Sequence, residues 1–271
     1  MFNHVISLET AIDRRLHIEK EFKEQNIPFT FSNAFQPNEA NDNIILNLVP
    51  NLNKTELTNG EKGCLISHLL LWKKCIDDNL PFISIFEDDI LLSNEAHFFI
   101  KNYDWLKERF KLENNFIIRL ETFLMEVEED RNTLIKTFKN RKFNQLKSSH
   151  WGTAGYIISQ PMAKNLLAQF KKMTVNDIHP IDQIIFNQLL SDNQYQIYQL
   201  NPAILIQELT LYKEKSHLKS DIEPDRRKIM NSKKIKRNLW QKIKREIWRY
   251  KIRKQEKLIK KQKEYQIVKF L

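Results

Sequence analysis

A β-α-β pattern at the start of the chain constrains the fold more than any other feature of the sequence. The apolar run HVISLET (4–10) predicts a strand, and PFTFSNAF (28–35) predicts a second one. Between them, AIDRRLHIEKEFKEQNI (11–27) has the apolar spacing of an amphipathic helix. A helix between two strands needs a sheet face on which to bury its apolar side. The sequence therefore predicts the α/β class.

Later segments continue this alternation of strands and helices. Helices are predicted over 58–79, 97–110, 160–172 and 179–190, and strands over 81–92, 115–121, 154–159 and, as two short runs, 195–208. The polar segment 36–58 predicts a loop, and 122–148 carries no periodic pattern. We therefore predict a mixed, mostly parallel sheet flanked by helices.

The charge of the chain is divided unequally along its length. Residues 226–264 hold 18 lysines and arginines against three glutamates, a net charge of +15. Because the whole chain has a net charge of +10, the remainder has a net charge of −5. This division predicts a mildly acidic globular domain over 1–225 and a basic C-terminal tail over 226–271.

The predicted tail has the spacing of a basic amphipathic helix. Its apolar positions recur every four residues and have aromatic neighbours: Ile235, Leu239, Ile243 and Ile247, with Trp240, Trp248 and Tyr250. Such a helix suits the anionic surface of a membrane. Nucleic-acid binding and a solvated helix are the alternative interpretations of the same charge.

Cysteine usage and hydropathy indicate the compartment. No apolar run approaches the ~20 residues that a membrane-spanning helix needs. The N-terminal residues MFNHVISLET lack the basic and apolar regions of a secretory signal peptide. Cys64 and Cys75 lie too far apart on a predicted helix to form a disulfide bond, so we expect buried thiols. These features predict a cytoplasmic protein.

Three consecutive acids, Glu87, Asp88 and Asp89, follow the apolar run FISIF. They lie at the carboxyl end of a predicted buried strand, where ligands bind in open α/β sheets. Neighbouring carboxylates repel one another, and Mg²⁺ or Mn²⁺, which prefer oxygen ligands, would offset that repulsion. The triplet predicts a divalent-cation site, and a solvated turn is the alternative.

Glycine is rare in this chain, and all four glycines occur in two close pairs, Gly60 with Gly63 and Gly152 with Gly155. Glycine permits a positive φ and a close approach of other groups to the backbone. The two pairs are therefore candidate walls of a binding site or, alternatively, ordinary tight turns.

Several segments together resemble glycosyltransferase family 25, which includes bacterial lipopolysaccharide and lipooligosaccharide galactosyl- and glucosyltransferases. They are, in order, VISL with DRR, GEKGCLISHLLLWKKC, ISIFEDDI, GTAGYIIS and PIDQ, and the resemblance extends from residue 4 to residue 208. It implies a GT-A fold, a UDP-sugar donor, a divalent metal (Mn²⁺ or Mg²⁺) and inversion at the anomeric carbon. It also implies a lipid-linked oligosaccharide acceptor at the cytoplasmic face of the bacterial inner membrane, where the tail would hold the enzyme peripherally.

The resemblance further implies roles for individual residues. The acidic triplet takes the place of the DxD-like motif of the family, with Asp89 as the metal ligand. The residues implied to bind the donor are Ser7, Leu8, Arg14, Ser67, His68, Glu87, Asp88, Gly152, Thr153, Gly155 and Gln183. A solvated helix face is the alternative for Arg14 and Arg15, and a core position is the alternative for His68. His217 is either a further metal ligand or a surface histidine.

An inverting transfer needs a base that takes the proton of the attacking hydroxyl, and a carboxylate is the usual group. Asp182 in HPIDQIIF is the candidate catalytic base. Pro180 puts it in the first turn of a predicted helix, where the helix dipole stabilises the ionised form. Glu61 and Glu121 are alternative bases, and a structural first-turn aspartate is the alternative role for Asp182.

The leading prediction is a metal-dependent hexosyltransferase with no nucleic-acid partner. Two other classes of protein remain as alternatives. One is a Mg²⁺-dependent nuclease or phosphodiesterase that uses the same acids and holds a polyanion with the basic tail. The other is a non-catalytic interaction protein that binds its partner through the tail.

Overall fold

The computed structural model describes residues 1–218, 239–263 and 265–271. The strands in chain order are β1 (Asn3–Ser7), β2 (Thr30–Asn33), β3 (Phe82–Glu87), β4 (Ile90–Leu92), β5 (Phe116–Arg119), β6 (Glu121–Thr122), β7 (Glu126–Val127), β8 (Glu129–Asp130), β9 (Lys142–Leu146), β10 (Gly155–Ser159), β11 (Gln196–Asn201), β12 (Leu205–Gln207) and β13 (Gln266–Ile267). The helices are α1 (Ile12–Glu24), α2 (Asp42–Leu48), α3 (Asn59–Asp77), α4 (His97–Ile100), α5 (Asp104–Arg109), α6 (Gln160–Phe170), α7 (Ile181–Ile185), α8 (Glu208–Tyr212) and α9 (Leu239–Gln262).

The main sheet has eight strands in the order β2-β1-β3-β10-β5-β11-β9-β8. Strand β1 is parallel to β2 and β3, and β11 is parallel to β5. The other neighbouring pairs are antiparallel. Strand β10 lies between β3 and β5 and runs opposite to both, β9 is antiparallel to β11, and β8 is antiparallel to β9. The predicted α/β class with a mixed sheet is confirmed, but the prediction of a mostly parallel sheet is wrong.

Successive side chains of the central strands face opposite sides of the sheet, as a pleated strand requires. In β3, Ile83 and Ile85 pack in one core with α3, α6 and α7. Phe82 and Phe86 of the same strand pack in a second core with α1, α4 and α5. Helices therefore cover both faces, which is why the central strands are apolar on both sides.

Local sequence signals explain where several helices begin. At the start of α3, the Thr58 hydroxyl accepts a hydrogen bond from Glu61 N at 3.1 Å, and Glu61 Oε2 accepts one from Thr58 N at 2.9 Å. This reciprocal pair is a capping box. The predicted helix 97–110 is two helices instead, because Asn102 Oδ1 accepts from Asp104 N at 2.9 Å and starts α5 anew.

Segment 179–190 also differs from its prediction. Its α-helix is only α7, and a 3₁₀ turn follows at Gln188–Ser191. Pro180 precedes the helix as its cap residue rather than standing in the first turn, and it leaves Asp182 near the helix start. The unassigned segment 122–148 forms β6 to β9 in part: β6, β7 and β8 have two residues each, and β9 has five and lies between β11 and β8.

Residues 265–271 return to the packed domain. Strand β13 pairs with β7, and Val268 is buried. Thr122 Oγ1 donates to Val268 O at 2.7 Å, and Ala203 N donates to Lys269 O at 2.8 Å. The predicted tail is therefore not separate over its whole length, because these residues bury apolar surface in the domain. The predicted boundary between 225 and 226, and Ile235, lie outside the described residues.

The predicted basic tail contains helix α9, whose aromatic residues Trp240, Trp248 and Tyr250 are exposed. Within residues 1–218, 239–263 and 265–271, no helix has the length and apolarity to span a bilayer.

Candidate active site

Three strands, β1, β3 and β5, end at the same edge of the main sheet. They are followed there by Leu8, by the acidic triplet and by Glu121. Strand β10 runs the other way and begins at this edge, where Glu87 N donates to Ala154 O at 3.0 Å. This topology gathers side chains from distant parts of the sequence at the carboxyl ends of parallel strands, the usual ligand site of such sheets.

The Glu87 carboxylate is surrounded by side chains from other parts of the chain. Thr153 Oγ1 donates to its Oε1 at 2.8 Å, and His68 Nε2 lies 3.5 Å from the same oxygen. Burial raises the pKa of Glu87, but the hydrogen bonds of His68 and Thr153 and the charge of Arg14 more than offset it, so the pKa lies below its usual value. Glu87 is therefore ionised at neutral pH.

Arg14 and Asp88 form an ion pair that joins α1 to the acidic triplet. Arg14 therefore faces the site, as predicted from the resemblance. Its neighbour Arg15 does not, because its guanidinium donates to Leu8 O at 3.0 Å and to Asn33 Oδ1 at 2.7 Å and lies over the Phe31 ring. Arg15 thus fixes the β1–α1 turn, and Arg14 is the cation directed at the site.

Asp89 is buried beside two other carboxylates. Burial and, less strongly, the charges of Glu87 and Asp88 raise its pKa to about 7, against the lowering effects of Arg14 and Gln207. Gln207 Nε2 lies 3.3 Å from both Asp89 oxygens and 3.5 Å from Glu87 Oε2. Oxygens of both carboxylates therefore lie around the Gln207 amide, and oxygen ligands of this kind are those that Mg²⁺ and Mn²⁺ prefer.

A second donor set lies on the other side of Glu87. Donor atoms of Cys64, His68 and Glu87 lie within 4.8 Å of one another. A thiol and an imidazole suit a softer ion such as Zn²⁺. A hard cation that binds a diphosphate is better matched by the oxygens of Glu87 and Asp89.

His68 belongs to a buried chain of hydrogen bonds. Trp72 Nε1 donates to the Tyr156 hydroxyl at 2.9 Å, and that hydroxyl lies 2.9 Å from His68 Nδ1. The opposite ring nitrogen of His68 faces Glu87. Because His68 is fully buried, it orients Glu87 from within the core.

Arg119 and Glu121 lie side by side at the end of β5, both fully buried, with 3.2 Å between Arg119 Nη2 and Glu121 Oε1. Burial and the charge of Glu87 raise the pKa of Glu121 to about 8, although Arg119 and the Ala154 N–H lower it. Glu121 Oε2 has no hydrogen-bond partner among the described residues. Glu121 is thus mostly protonated at neutral pH, so only a minor ionised fraction could accept a proton there.

Asp182 reaches the same region from the start of α7 and is half-buried. Its Oδ2 accepts a hydrogen bond from Gly152 N at 3.2 Å, and its Oδ1 accepts one from Gln183 N at 2.9 Å. On the other side of Gly152, Arg119 Nη1 donates to Gly152 O at 2.7 Å. Gly152 therefore lies between the predicted base and the buried Arg119–Glu121 pair.

Gly63, Gly152 and Gly155 are each required for a different physical reason. Gly152 has φ +85°, and a Cβ there would lie 3.2 Å from Glu121 Oε2, so this glycine permits close packing at the site. At Gly155 a Cβ would lie 2.0 Å from Leu205 Cδ1, and at Gly63 it would lie 2.5 Å from Phe35 O. The space beside Gly155 is filled by the core, so the expectation that this glycine admits a sugar is not supported by its packing.

Other residues that were predicted for the site have structural roles in the fold instead. Ser67 Oγ donates to Gly63 O at 2.7 Å and accepts from Phe35 N at 2.8 Å, so its hydroxyl is occupied within the fold rather than available to a donor. Glu61 is held in the capping box of α3, which removes it as a base. Ser7 is buried with its hydroxyl on Leu8 O at 3.3 Å, and His217 is exposed beside Glu208.

Three site residues were not predicted from the sequence: Arg119, Gln207 and Tyr156. Arg119 interrupts the apolar run NFIIRLE, and a charge inside a buried strand is a signal that could have been used. Gln207 is a polar residue directly after the apolar run AILI, which is a weaker signal of the same kind. Tyr156 carries no such signal, because an aromatic residue is ordinary in a strand.

Known proteins are similar to this sequence over most of its length. Residues 1–185 match the family model described as "Glycosyltransferase family 25 (LPS biosynthesis protein)". The chain is 39% identical to the lipooligosaccharide biosynthesis protein lex-1 of Haemophilus influenzae, over 99% of this chain and 98% of that protein. It is 42% identical to the lipooligosaccharide biosynthesis protein lic2B of the same species, over 86% of this chain and 85% of that one.

A third relative comes from another genus. The lacto-N-neotetraose biosynthesis glycosyltransferase LgtE of Neisseria meningitidis serogroup B is 41% identical, over 83% of this chain and 82% of that protein. The matched region contains the acidic triplet and Asp182, which the structure brings to one edge of the sheet. This chain belongs to glycosyltransferase family 25.

Proposed function

We propose that this protein transfers a hexose, galactose or glucose, from a UDP-hexose to a sugar of lipooligosaccharide with inversion at the anomeric carbon. One observation carries the proposal: the acidic triplet and Asp182 lie at the same end of the sheet, on either side of Glu121 and Gly152. Arg14 pairs with the triplet through Asp88, and Asp182 is half-buried. The relatives named for lipooligosaccharide and lacto-N-neotetraose biosynthesis support the class of acceptor.

Glu87 and Asp89 are the residues that would hold a divalent cation, Mn²⁺ or Mg²⁺. When bound, the cation neutralises the charge that develops on the departing diphosphate. Arg14 adds a fixed positive charge on the same side through its pair with Asp88. Thr153 and His68 keep the Glu87 carboxylate oriented. These residues form the donor end of the proposed site.

Asp182 is the proposed base. It takes the proton of the acceptor hydroxyl while that oxygen bonds to the anomeric carbon and the UDP oxygen leaves from the opposite face. Its two oxygens accept backbone N–H groups, which keeps the carboxylate oriented. Glu121, which holds a proton at neutral pH, instead supports Gly152 and the backbone of Ala154.

Helix α9 would bring the enzyme to the cytoplasmic face of the inner membrane. Its lysines and arginines are attracted to anionic headgroups, and its exposed Trp240, Trp248 and Tyr250 suit the interfacial region. This arrangement would keep the enzyme near an acceptor that is itself linked to lipid.

Turnover with a panel of donors tests the proposal. UDP release would be measured with UDP-galactose, UDP-glucose and UDP-N-acetylglucosamine, Mn²⁺, and octyl galactoside or glucoside as soluble acceptors. We expect one UDP-hexose to be consumed, with NMR of the product showing the inverted anomer. Hydrolysis of DNA with no turnover of any UDP-sugar would favour the nuclease alternative and overturn the proposal.

A further inference from the structure

One tryptophan beside the proposed base is exposed. Trp151 shows 51% of its surface to solvent, whereas Trp72 and Trp105, the other tryptophans of residues 1–218, are buried. Leaving an indole in water forfeits the free energy that its burial would give. A single exposed apolar side chain is ordinary on a protein surface, so its surroundings decide whether it has a role.

A second ring stands against Trp151. The Phe123 ring centroid lies 5.7 Å from that of Trp151, with an angle of 67° between the ring planes. Neither ring packs in one of the two cores of the described domain. Phe123 follows Glu121 and Thr122, and Trp151 precedes Gly152, so both residues are next to residues of the proposed site in the chain.

The backbone under Trp151 is held rigidly. Its carbonyl oxygen accepts hydrogen bonds from the buried Arg119 guanidinium and, at 3.0 Å, from the ring of the buried His150. His150 N in turn donates to Phe186 O at 3.0 Å. The next residue, Gly152, donates its N–H to Asp182. The indole is therefore attached to the same short segment that positions the proposed base.

We propose that Trp151, supported at its edge by Phe123, is the surface on which the acceptor sugar stacks. The inference rests on the proposed function and adds its second substrate subsite. The C–H face of a hexopyranoside packs on the electron-rich face of an indole, which combines apolar burial with a favourable electrostatic contact. The hydroxyls at the rim of the same sugar stay free to reach Asp182.

The position of the rings favours the acceptor over the donor. The diphosphate and the cation need positive charge and carboxylate oxygens, which Arg14, Glu87 and Asp89 supply. Trp151 instead precedes Gly152, whose N–H donates to Asp182, the residue proposed to remove the proton from the attacking hydroxyl. A rigid aromatic surface beside the base orders the acceptor at little entropic cost.

Kinetics with a soluble acceptor test this subsite. The variants are Trp151→Ala, Trp151→Phe and Phe123→Ala, with Leu134→Ala as the control, because Leu134 is a fully exposed apolar residue. The acceptor is the octyl glycoside that the unmodified enzyme uses best. Three readouts are taken: KM for the acceptor, KM for the donor, and hydrolysis of the UDP-hexose without acceptor.

For Trp151→Ala we expect KM for the acceptor to rise by about tenfold or more, as for removal of a central aromatic contact. KM for the donor and hydrolysis of the donor stay unchanged, and Trp151→Phe keeps most of the affinity. A normal KM for the acceptor in Trp151→Ala would overturn the proposal. So would an equal loss of donor hydrolysis, because that would assign Trp151 to the donor or to the fold.

Binding without turnover keeps the two proposals separate. Saturation-transfer NMR of octyl galactoside and octyl glucoside needs no donor. We expect signal from the sugar protons with the unmodified protein and with Leu134→Ala, and a loss of signal with Trp151→Ala. If no UDP-hexose is consumed but this pattern is found, the proposed reaction fails and the sugar subsite stands. If neither glycoside binds the unmodified protein, the subsite is refuted.

Discussion

Two buried carboxyl groups bind protons more tightly in the folded protein than in the unfolded chain. The pKa of Asp89 is raised from 3.8 to about 7 and that of Glu121 from 4.5 to about 8, in each case chiefly by burial. Because the folded state holds more protons between these values, these two groups lower its stability as the pH rises from about 4 to 8. Burial lowers the pKa values of His4 and His150, which raises the stability as the pH rises towards 6.5. We therefore expect the Tm in EDTA to decrease between about pH 6.5 and pH 8.

The double variant Asp89→Asn, Glu121→Gln is the matched comparison for this pH dependence. Neither amide titrates, so the Tm of the variant should change much less with pH than that of the unmodified protein. A divalent cation binds the deprotonated carboxylate, so added Mn²⁺ should raise the Tm more at pH 8 than at pH 6, by linkage. A Tm in EDTA that rises towards pH 8 would contradict the raised pKa values.

Asp89→Ala should remove cation-dependent binding of UDP without unfolding the protein. The substitution deletes a proposed metal ligand, and it also removes one of three neighbouring acidic groups that repel one another. Calorimetric titration with UDP, with and without Mn²⁺, measures the loss, and a thermal melt checks the fold. Asp104→Ala, at an exposed aspartate, is the control. Normal Mn²⁺-dependent affinity in Asp89→Ala would refute the assignment.

Asp182→Asn and Glu121→Gln separate the two carboxyl groups beside Gly152. For Asp182→Asn we expect kcat to fall by about 10²–10⁴ with donor binding kept, because only the proton acceptor is lost. Glu121→Gln mimics the protonated group, so it should keep most activity at pH 7. The kcat values at pH 7 decide between them. The reverse order of effects would make Glu121 the base.

At the scale of secondary-structure elements, the contact between β10 and β12 leaves no room for an added methyl group at Gly155. A Cβ at Gly155 would lie 2.0 Å from Leu205 Cδ1. We expect Gly155→Ala to destabilise the protein by about 1–3 kcal/mol through overpacking. Leu205→Val in the same chain should recover part of that loss. Urea denaturation of the single and double variants measures the coupling, and additive effects would exclude a direct clash.

Elements with strong local signals could be predicted from the sequence. The β-α-β start and α6 agree with their periodicity, and Thr58 and Glu61 mark the start of α3 as a capping box. The reversed direction of β10 could not be predicted, because periodicity carries no information about strand direction. Strands β6, β7 and β8 were missed because each has only two residues, and β9 was missed because charged and polar residues interrupt its apolar ones.

Candidate site residues were predictable where charge or topology constrained them. The acidic triplet follows an apolar strand, and the contacts of Arg14, Thr153 and Asp182 place them at the same sheet edge. Ser67 was misjudged because its partners, Gly63 O and Phe35 N, are backbone groups that no side-chain pattern reveals.

At the scale of the whole molecule, charge substitutions in α9 test the proposed membrane contact. Residues 226–271 should not simply be deleted, because Val268 is buried in the domain. The variant carries Lys244→Gln, Arg245→Gln, Lys251→Gln and Lys254→Gln, at exposed positions of α9. Each cationic group near an anionic surface contributes about 1 kcal/mol, so we expect most vesicle binding to be lost.

Flotation with phosphatidylglycerol vesicles at low and high salt measures this binding. The control has the same number of cationic residues changed to glutamine on the domain, at Lys20, Lys73, Lys107 and Lys171, which are also exposed. The control should still float at low salt, and both proteins should be released at high salt by screening. If the α9 variant floats as well as the unmodified protein, the helix is not the membrane contact.

Leu218 and Val268, which lie before and after α9 in the chain, are both buried in the domain. A catalytic body on a single free tether rotates in all directions above a surface. A segment that is fixed to the body at both ends removes much of that orientational freedom. An enzyme held on a bilayer through α9 would therefore search for its acceptor in two dimensions and over fewer orientations than a singly tethered one, which raises the effective concentration of acceptor sugars.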